Sequence, residues 1–163
     1  MSEVVLLVHN IRSTHNVGSI FRTAEGFGVS RVILSGYTPY PRLDADKRLP
    51  HIANKLHTQI HKTALGAEEL VPFEYRETPP FQELKSAGFT VVGLEQDARS
   101  IYLNKFTSPT KIALLLGEEV EGLTDELRAA CDVLVEIPMV GKKESFNVSV
   151  ATGVALYGLM VAS

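Results

Sequence analysis

Apolar runs rich in Val, Ile and Leu alternate along the chain with longer segments in which apolar and polar positions are mixed. The apolar runs lie at residues 3–8, 31–34, 89–94, 111–116 and 133–137. Their length and their content of β-branched residues predict strands, and the scarcity of polar positions within them predicts burial on both faces of a sheet. The sequence therefore predicts an α/β domain with a mainly parallel sheet flanked by helices.

Four helices are predicted in the mixed segments. Residues 16–27 repeat apolar side chains at helical spacing, which places them on one stripe. The other predicted helices are residues 79–85, a helix that begins at residue 124, and residues 147–160. The last one is apolar almost throughout, which fits either a core helix or a helix packed against a second subunit. Residues 35–58 show no regular pattern, so we expect them to be irregular.

The length of 163 residues and the hydrophobic content of 45% indicate one domain, residues 1–163. The apolar runs are far shorter than the roughly 20 residues that span a bilayer. The first residues lack the basic start and the small-residue cleavage site of a signal peptide. We therefore expect a cytoplasmic protein without a membrane partner.

Several classes of chemistry lack their sequence signatures. Cys131 is the only cysteine, so no internal disulfide, redox motif or zinc site is expected, and we expect no metal. No G-x-G-x-x-G follows a strand, and the sequence has neither a Walker lysine loop nor a G-x-S-x-G elbow. These absences argue against dinucleotide oxidoreductases, P-loop NTPases and α/β-hydrolases.

The net charge of −3 is unevenly distributed. Residues 9–62 hold eight Lys/Arg against three acids, whereas residues 63–163 hold eight against fifteen. A basic first third on an acidic chain fits a surface that faces RNA, although an ordinary solvated face gives the same pattern. The candidate RNA contacts are Arg42, Lys47, Arg48, Lys55 and Lys62.

Three segments that follow predicted strands carry the candidate chemistry, because α/β sheets bind ligands at the carboxyl ends of their strands. In the first segment, Asn16 can cap the helix of residues 16–27. Arg22 lies close to the apolar stripe of that helix, where a guanidinium is costly to bury unless it is paired. Arg22 is therefore a candidate for holding a phosphate or a ribose.

The second segment, residues 115–123, places Gly117 at a strand end, where a ligand can approach the backbone closely. Its three glutamates repel phosphate and suit a cationic or hydroxyl-rich ligand, although a plain acidic turn is an equally good interpretation. The third segment, residues 137–151, has both Ser145 and Asn147 just before the last helix. Helix capping explains only one of these two polar residues.

Together these segments resemble the three motifs of the SpoU (TrmH-like) branch of the SPOUT methyltransferases. The matching residues are Asn16, Gly18 and Arg22 in the first motif, Gly117, Glu119, Gly122 and Leu123 in the second, and Ile137, Pro138, Met139, Ser145, Asn147 and Ser149 in the third. The resemblance implies a C-terminal deep trefoil knot, a homodimer, and methyl transfer from S-adenosylmethionine to a ribose 2′-hydroxyl of RNA. Larger members carry an added RNA-binding domain, which is not expected here. Small members resemble enzymes that act on tRNA, including at the wobble ribose, and rRNA stays open.

The resemblance also implies roles for individual residues. S-adenosylmethionine would contact Leu94, Gly117, Ile137, Met139, Ser145, Phe146 and Asn147. The catalytic residues would be Asn16, Arg22, Glu119, Ser145 and Asn147, with Arg22 coming from the same subunit or the opposite one. Because arginine stays protonated in proteins, we expect Arg22 to orient the ribose and stabilise developing negative charge, while Glu119 or an RNA phosphate accepts the proton.

Two other functions stay open at this point. One is a non-catalytic RNA-binding or assembly protein that keeps the fold. The other is methylation of a base by a related SPOUT branch, which the Ser-x-Asn-x-Ser pattern of residues 145–149 disfavours.

Overall fold

The computed structural model describes residues 1–162 and places all five predicted strands in one parallel sheet, together with two strands that the sequence pattern missed. The strands are β1 (Glu3–His9), β2 (Arg31–Ser35), β3 (Phe73–Arg76), β4 (Thr90–Leu94), β5 (Ile101–Tyr102), β6 (Lys111–Leu116) and β7 (Val133–Glu136). Their order across the sheet is β3-β2-β1-β6-β4-β7-β5. Each neighbouring pair is parallel, so the predicted fold class is confirmed for the described residues.

Six α-helices accompany the sheet in the described part of the chain. They are α1 (Thr14–Phe27), α2 (Pro50–Ala64), α3 (Ala67–Leu70), α4 (Phe81–Ser86), α5 (Asp125–Ala130) and α6 (Val148–Met160). The predicted start of α5 is confirmed, because the Thr124 side chain accepts a hydrogen bond from the Leu127 N–H at 3.2 Å. The predicted cap of α1 is wrong, because Ser13 rather than Asn16 caps that helix.

The hydrophobic core lies on both faces of the sheet. Side chains of β1 alternate between the two faces, since successive residues of a strand point to opposite sides. Val4, Leu6 and Val8 join the side chains of α1, α2 and α6 on one face. Val5 and Leu7 join Leu84 of α4 on the other face, where Leu127 of α5 packs against the cluster. The central strands are therefore buried on both faces, as their unbroken apolar runs predict.

Helix α2 occupies part of the region that was expected to be irregular. Pro50 stands at its first turn, where a missing N–H costs nothing. Its buried residues, Ala53, Ile60 and Ala64, face α1 and are separated by many polar positions, which hides the helical pattern. The two helices pack so closely that a Cβ at Gly18 would overlap the Thr63 hydroxyl and the Ile60 carbonyl oxygen.

Because every strand is parallel, the loops that follow β1, β2, β4, β6 and β7 gather at one edge of the sheet, the edge where parallel sheets bind ligands. We call this the carboxyl edge. Among residues 1–162, no helix has both the length and the apolar character needed to cross a membrane.

Candidate active site

A cleft opens at the carboxyl edge, beyond the ends of β4, β6 and β7. Its walls are residues 94–96, residues 116–122, residues 136–137 and residues 144–146, with Val148 and Ala151 at the start of α6. Five of the seven residues predicted to contact S-adenosylmethionine line this cleft: Leu94, Gly117, Ile137, Ser145 and Phe146. The structure thus brings together residues from the second and third motif segments.

The loop after β6 can fold back tightly because two of its positions are glycines. A Cβ at Gly117 would lie 2.6 Å from Leu123 Cδ2 and 2.9 Å from the Gly122 carbonyl carbon, distances that real Cβ atoms do not show. Gly122 has φ +68°, a left-handed conformation that favours glycine. Its N–H donates to the Glu118 carbonyl at 2.9 Å, which closes the loop against the strand end.

Glu95 fixes this loop in place, although the sequence motifs did not predict it. One of its carboxylate oxygens accepts a hydrogen bond from the Leu123 N–H at 2.6 Å, and the other accepts from the Gln96 N–H at 3.0 Å. An acid directly after the apolar run of β4 was the available signal, because strand ends in such sheets carry functional side chains. The prediction stopped one residue short, at Leu94.

Asn16 connects all three motif segments. Its side chain is almost fully buried, and its Nδ2 donates to Glu119 Oε1 at 3.3 Å. Its Oδ1 accepts a hydrogen bond from Asn147 Nδ2 at 3.2 Å. Both polar atoms of the amide are therefore satisfied by side chains that lie more than 100 positions away in the sequence. Buried amides that are paired in this way have one allowed orientation.

Asn147 also caps helix α6, which settles what the sequence left open between it and Ser145. Its Oδ1 accepts hydrogen bonds from the Ser149 N–H at 3.0 Å and the Val150 N–H at 3.3 Å. Capping uses its oxygen, whereas contact with Asn16 uses its nitrogen. Ser145 takes no part in the cap and lines the cleft instead.

Glu119 lies over the N-terminal end of α1. Besides Asn16, its carboxylate accepts long hydrogen bonds from the Arg12 N–H at 3.4 Å and the Ser13 N–H at 3.5 Å. Helix N-termini attract negative charge because their first N–H groups lack partners within the helix. This arrangement holds the carboxylate at the junction between the cleft and the loop after β1.

The cleft is acidic as well as partly apolar. Six glutamates line it: Glu95, Glu118, Glu119, Glu121, Glu136 and Glu144. Apolar surface comes from Leu94, Ile137 and Phe146. Such a lining repels phosphate and suits a ligand that combines a flat apolar ring, hydroxyl groups and positive charge.

Four predicted site residues do not line this cleft: Asn16, Asn147, Arg22 and Met139. Arg22 is exposed on α1 and has no hydrogen-bond or ion-pair partner within residues 1–162, so the expectation of a guanidinium buried against the stripe is wrong for the single chain. Met139 is half-buried beside the cleft, and its sulfur accepts a hydrogen bond from Gln96 Nε2 at 3.1 Å.

The five basic residues predicted to contact RNA differ in whether their side chains are exposed or already paired. Arg42, Lys47, Lys55 and Lys62 are exposed on the 36–49 loop and on α2. Arg42 is partly engaged, because its Nη1 donates to Asn54 Oδ1 at 2.8 Å. These four side chains are free to meet solvent or a ligand, and their contact with RNA stays a prediction.

Arg48 is held inside its own loop. Its Nη2 lies 2.6 Å from Asp46 Oδ2 and also donates to the Pro41 carbonyl oxygen. Its Nε donates to Asp46 Oδ1, and its Nη1 donates to the Tyr40 carbonyl oxygen. Its guanidinium carbon sits 3.6 Å above the Tyr40 ring centroid. Because its donors are used in these contacts, the geometry disfavours the predicted role of Arg48 as a phosphate contact.

One group of potential metal ligands occurs in the described part of the chain. Ligand atoms of His57, Glu68 and Glu69 lie within 4.8 Å of one another at the corner between α2 and α3. Glu68 already accepts hydrogen bonds from the Gly66 N–H and the His61 ring, and none of the three lines the cleft. A reaction without metal stays a prediction.

Comparison with known proteins agrees with this geometry. The model of the SpoU rRNA Methylase family matches residues 3–157. A 23S rRNA (guanosine-2′-O-)-methyltransferase, RlmB, of Nitrosomonas europaea is 35% identical over 156 residues, which is 94% of this chain and 54% of that protein. The protein of the same name from Haemophilus influenzae is 36% identical, over 96% of this chain and 59% of its own length.

Among solved structures, an AdoMet-bound rRNA methyltransferase from Sinorhizobium meliloti has a similar fold, with a TM-score of 0.78 and 26% identity. The match covers 96% of this chain and 55% of that one. The chain therefore spans little more than half the length of these relatives. Since the family model matches almost the whole chain, including the three segments that meet at Asn16, the chain belongs to the SpoU rRNA Methylase family.

Proposed function

We propose that this chain transfers a methyl group from S-adenosylmethionine to a ribose 2′-hydroxyl of RNA. The observation that carries the proposal is the pair of hydrogen bonds by which Asn16 joins Glu119 to Asn147 at the mouth of the cleft. Membership of the SpoU family and the names of the relatives support the same activity.

The cleft has the chemistry that S-adenosylmethionine needs. Its glutamates complement a cationic sulfonium, an amino group and ribose hydroxyls, while Leu94, Ile137 and Phe146 offer an apolar surface to an adenine ring. Gly117 lets a ligand approach the backbone at the end of β6. S-adenosylmethionine, when bound there, supplies a methyl group that passes to the ribose oxygen as its carbon–sulfur bond breaks.

The side chains of this chain hold the ribose and receive its proton in the proposed reaction. Glu119 stands at the mouth of the cleft with a carboxylate that can accept the hydrogen of the 2′-hydroxyl. Asn16 and the N–H groups of Arg12 and Ser13 keep that carboxylate in one place. Fixed positioning of this kind accounts for a large part of the rate in reactions that need only alignment.

Arg22 completes the site from a second copy of the chain in this proposal. The exposed side of α6 and the residue that follows it carry a row of large apolar residues, Val150, Val154, Tyr157 and Val161. Gly153 of the same helix lies beside Thr23, the residue that follows Arg22 in α1. A second copy that covers the row would place each Arg22 at the subunit boundary, next to a partner that needs a cation for developing negative charge.

The dimer can be tested by sedimentation. We expect the purified protein to sediment at twice the mass of one chain, and Val154→Glu with Tyr157→Glu to sediment as one chain. A wild-type protein that stays a single chain at assay concentrations would remove the proposed role of Arg22.

We further propose that the C-terminal part of the chain forms the deep trefoil knot of the resemblance. Support comes from residues 144–146, which line the cleft opposite residues 116–122, and from Asn147, which reaches back to Asn16. A single molecule pulled from both ends tests the topology. A knotted chain stretches to less than the full length of 163 residues, whereas an unknotted chain reaches it.

The class of RNA is a separate question. The relatives are named for 23S rRNA, and nothing in those names supports the preference for tRNA, which stays a prediction along with the wobble position. A cytoplasmic location also stays a prediction. Assays on separate tRNA and rRNA fractions from cells that lack the gene distinguish the two substrates.

The proposed activity is tested with S-adenosylmethionine labelled in its methyl group. We expect the label to enter RNA and, after alkaline hydrolysis, to remain in dinucleotides, because a 2′-O-methyl group removes the hydroxyl that cleaves the neighbouring phosphodiester. Label found in single nucleotides would indicate methylation of a base. No label in either fraction, from a protein that binds S-adenosylmethionine and is dimeric, would contradict the proposal.

A further inference from the structure

A second hollow lies beside the cleft, between the loop after β1, the loop after β2 and helix α2. We call it the Tyr37 hollow, and Arg12, Tyr37, Tyr40, Leu56 and Gln59 contribute to its lining. The Tyr37 side chain is large, aromatic and about half exposed, at 49%. None of the residues of the hollow lines the cleft itself.

The backbone that presents Tyr37 is held in an unusual conformation. Asn10 has φ +54°, a left-handed value that a residue with a side chain adopts at a cost. Its side-chain oxygen accepts a hydrogen bond from the Tyr37 N–H at 3.1 Å, and its own N–H donates to the Ser35 carbonyl at 3.2 Å. The loops after β1 and β2 are therefore fastened together directly beneath Tyr37.

Gly36 makes this junction possible. It has φ +65°, and a Cβ at this position would overlap the Asn10 side-chain oxygen. Its carbonyl oxygen accepts a hydrogen bond from the Tyr75 hydroxyl at 2.7 Å. Three hydrogen bonds, two of them through side chains, and two left-handed residues thus fix the backbone that carries this exposed aromatic ring, which an ordinary surface tyrosine does not require.

Arg12 links the hollow to the active site. Its guanidinium carbon lies 5.6 Å from the centre of the Tyr37 ring, while its backbone N–H donates to Glu119 Oε2. The hollow and the candidate catalytic carboxylate therefore share one residue. A ligand that spans both sites would be placed by the same short piece of chain.

Charge separates the two sites. Glutamates line the cleft, so the phosphates next to a reacting ribose are repelled from it and must be received outside it. The hollow offers the Arg12 guanidinium and an aromatic face on the side of Glu119 where α1 begins. Proteins that bind unpaired nucleotides combine these two features, because bases stack on aromatic rings and phosphates pair with arginine.

We propose that the Tyr37 hollow binds an unpaired nucleotide of the RNA substrate, next to the nucleotide that is methylated. Tyr37 stacks on its base, and Arg12 pairs with a phosphate between the two nucleotides. This inference rests on the proposed function, and it adds a recognition site for single-stranded RNA to the active site.

The stacking contact can be observed without any methyl transfer. The chain contains no tryptophan, so Tyr37→Trp creates a single indole in the hollow. We expect a short oligoadenylate to quench its fluorescence at low salt, because a base stacked on an indole quenches it. Leu70→Trp is the matched control, since Leu70 is 70% exposed just before β3, at the opposite edge of the sheet, and we expect no quenching there.

Kinetics supply the second test. Tyr37→Ala should raise the KM for RNA roughly tenfold to a hundredfold, as the loss of one stacked base does, and leave the affinity for S-adenosylmethionine unchanged. Tyr37→Phe keeps the ring face and should keep the wild-type KM. Absence of quenching at position 37, or a Tyr37→Ala variant with the wild-type KM, would overturn the inference. A wild-type protein that methylates no RNA would instead overturn the proposed function, because the fluorescence titration does not depend on catalysis.

Discussion

The active-site cleft and the basic 36–49 loop lie at the same edge of the sheet, yet their contacts differ in range. Asn16 hydrogen-bonds to residues 103 and 131 positions away. The Arg48 side chain, in contrast, donates hydrogen bonds to residues two to eight positions away. The cleft therefore depends on contacts between distant parts of the chain, whereas the loop is held mainly by contacts within itself.

Because of this difference, a positive charge alone does not identify a residue that contacts a ligand. In the loop, a basic residue that looks like an RNA contact satisfies an acid two positions before it. On α1, Arg22 is exposed and has no such partner within residues 1–162, so its guanidinium is free for the proposed contact with a ligand or a second subunit. Contacts within a structure therefore show which cations are already paired, which charge counts do not.

The largest expected effect is on the rate of methyl transfer and comes from replacing Arg22 with alanine, compared with the same replacement of Arg48. Arg22→Ala should lower methyl transfer by about 10²–10³, as the loss of one stabilising donor for developing charge does. Its affinity for S-adenosylmethionine and its free energy of unfolding should stay close to wild type, because the side chain is exposed. Initial rates, calorimetric binding and urea unfolding measure the three quantities.

Arg48→Ala is the counterpart, and we expect the reverse pattern. It should lower the free energy of unfolding by about 1–3 kcal/mol through the loss of charged hydrogen bonds, while the transfer rate at temperatures far below unfolding changes little. If both variants lost activity equally, the distinction between a free and a clamped arginine would be wrong.

The next effect concerns the backbone of the cleft. Gly117→Ala should weaken binding of S-adenosylmethionine by at least tenfold, because the new methyl group meets Leu123 and the Gly122 backbone and forces the loop outward. Gly141→Ala is the matched control, since a Cβ there has nothing within 4 Å. Calorimetric titration measures both, and equal affinities would show that the loop tolerates the shift.

The close contact between helices α1 and α2 gives a third prediction. Gly18→Ala should destabilise the protein by about 1–3 kcal/mol, because α1 and α2 cannot separate without disturbing the core. Gly26→Ala, on the same helix, has open space around its Cβ and should stabilise by about 0.5–1 kcal/mol. Urea unfolding monitored by circular dichroism compares them. A similar change in both would mean that helix propensity, rather than close packing, governs this contact.

The smallest effect is the pH dependence of the loop clamp. Hydrogen bonds from Arg48 hold the pKa of Asp46 well below its usual range. Because the folded pKa is lowered, the contribution to stability is present above about pH 4, the ordinary value for aspartate, and is lost as the pH falls through the folded pKa. The difference in unfolding free energy between wild type and Asp46→Asn should therefore be constant from pH 7 to about pH 5 and shrink towards pH 2. A difference that was already gone at pH 5 would contradict the lowered pKa.

Sequence patterns predicted the parts of the fold in which one local signal dominates. The apolar runs of β1 and β6 and the stripe of α1 lie where they were expected, because burial alone decides those elements. Helix α2 was missed, since only a few of its positions are buried and polar residues interrupt them. The two-residue strand β5 is too short to leave a pattern.

The candidate site was predictable to a similar degree. The position of Gly117 at a strand end was readable from the residues, whereas the roles of Asn16, Glu119 and Asn147 were implied only by the family resemblance. On its own, the pattern of residues predicted a helix cap for Asn16, since the partners that bury its amide come from segments more than 100 residues away. Glu95 was missed for the same reason: its contact with the loop after β6 depends on which loops meet at the carboxyl edge.

The proposed activity depends on three distant segments that act as one unit through the side chain of Asn16. The most direct test is a double-mutant cycle on the rate of methyl transfer to RNA, with Asn16→Ala, Asn147→Asp and the double variant. Aspartate at position 147 still caps α6 but cannot donate to Asn16. We predict that the double variant transfers methyl groups no more slowly than the slower single variant, because both changes break the same connection. Losses that multiply in the double variant would show that the two residues act independently and would contradict the account.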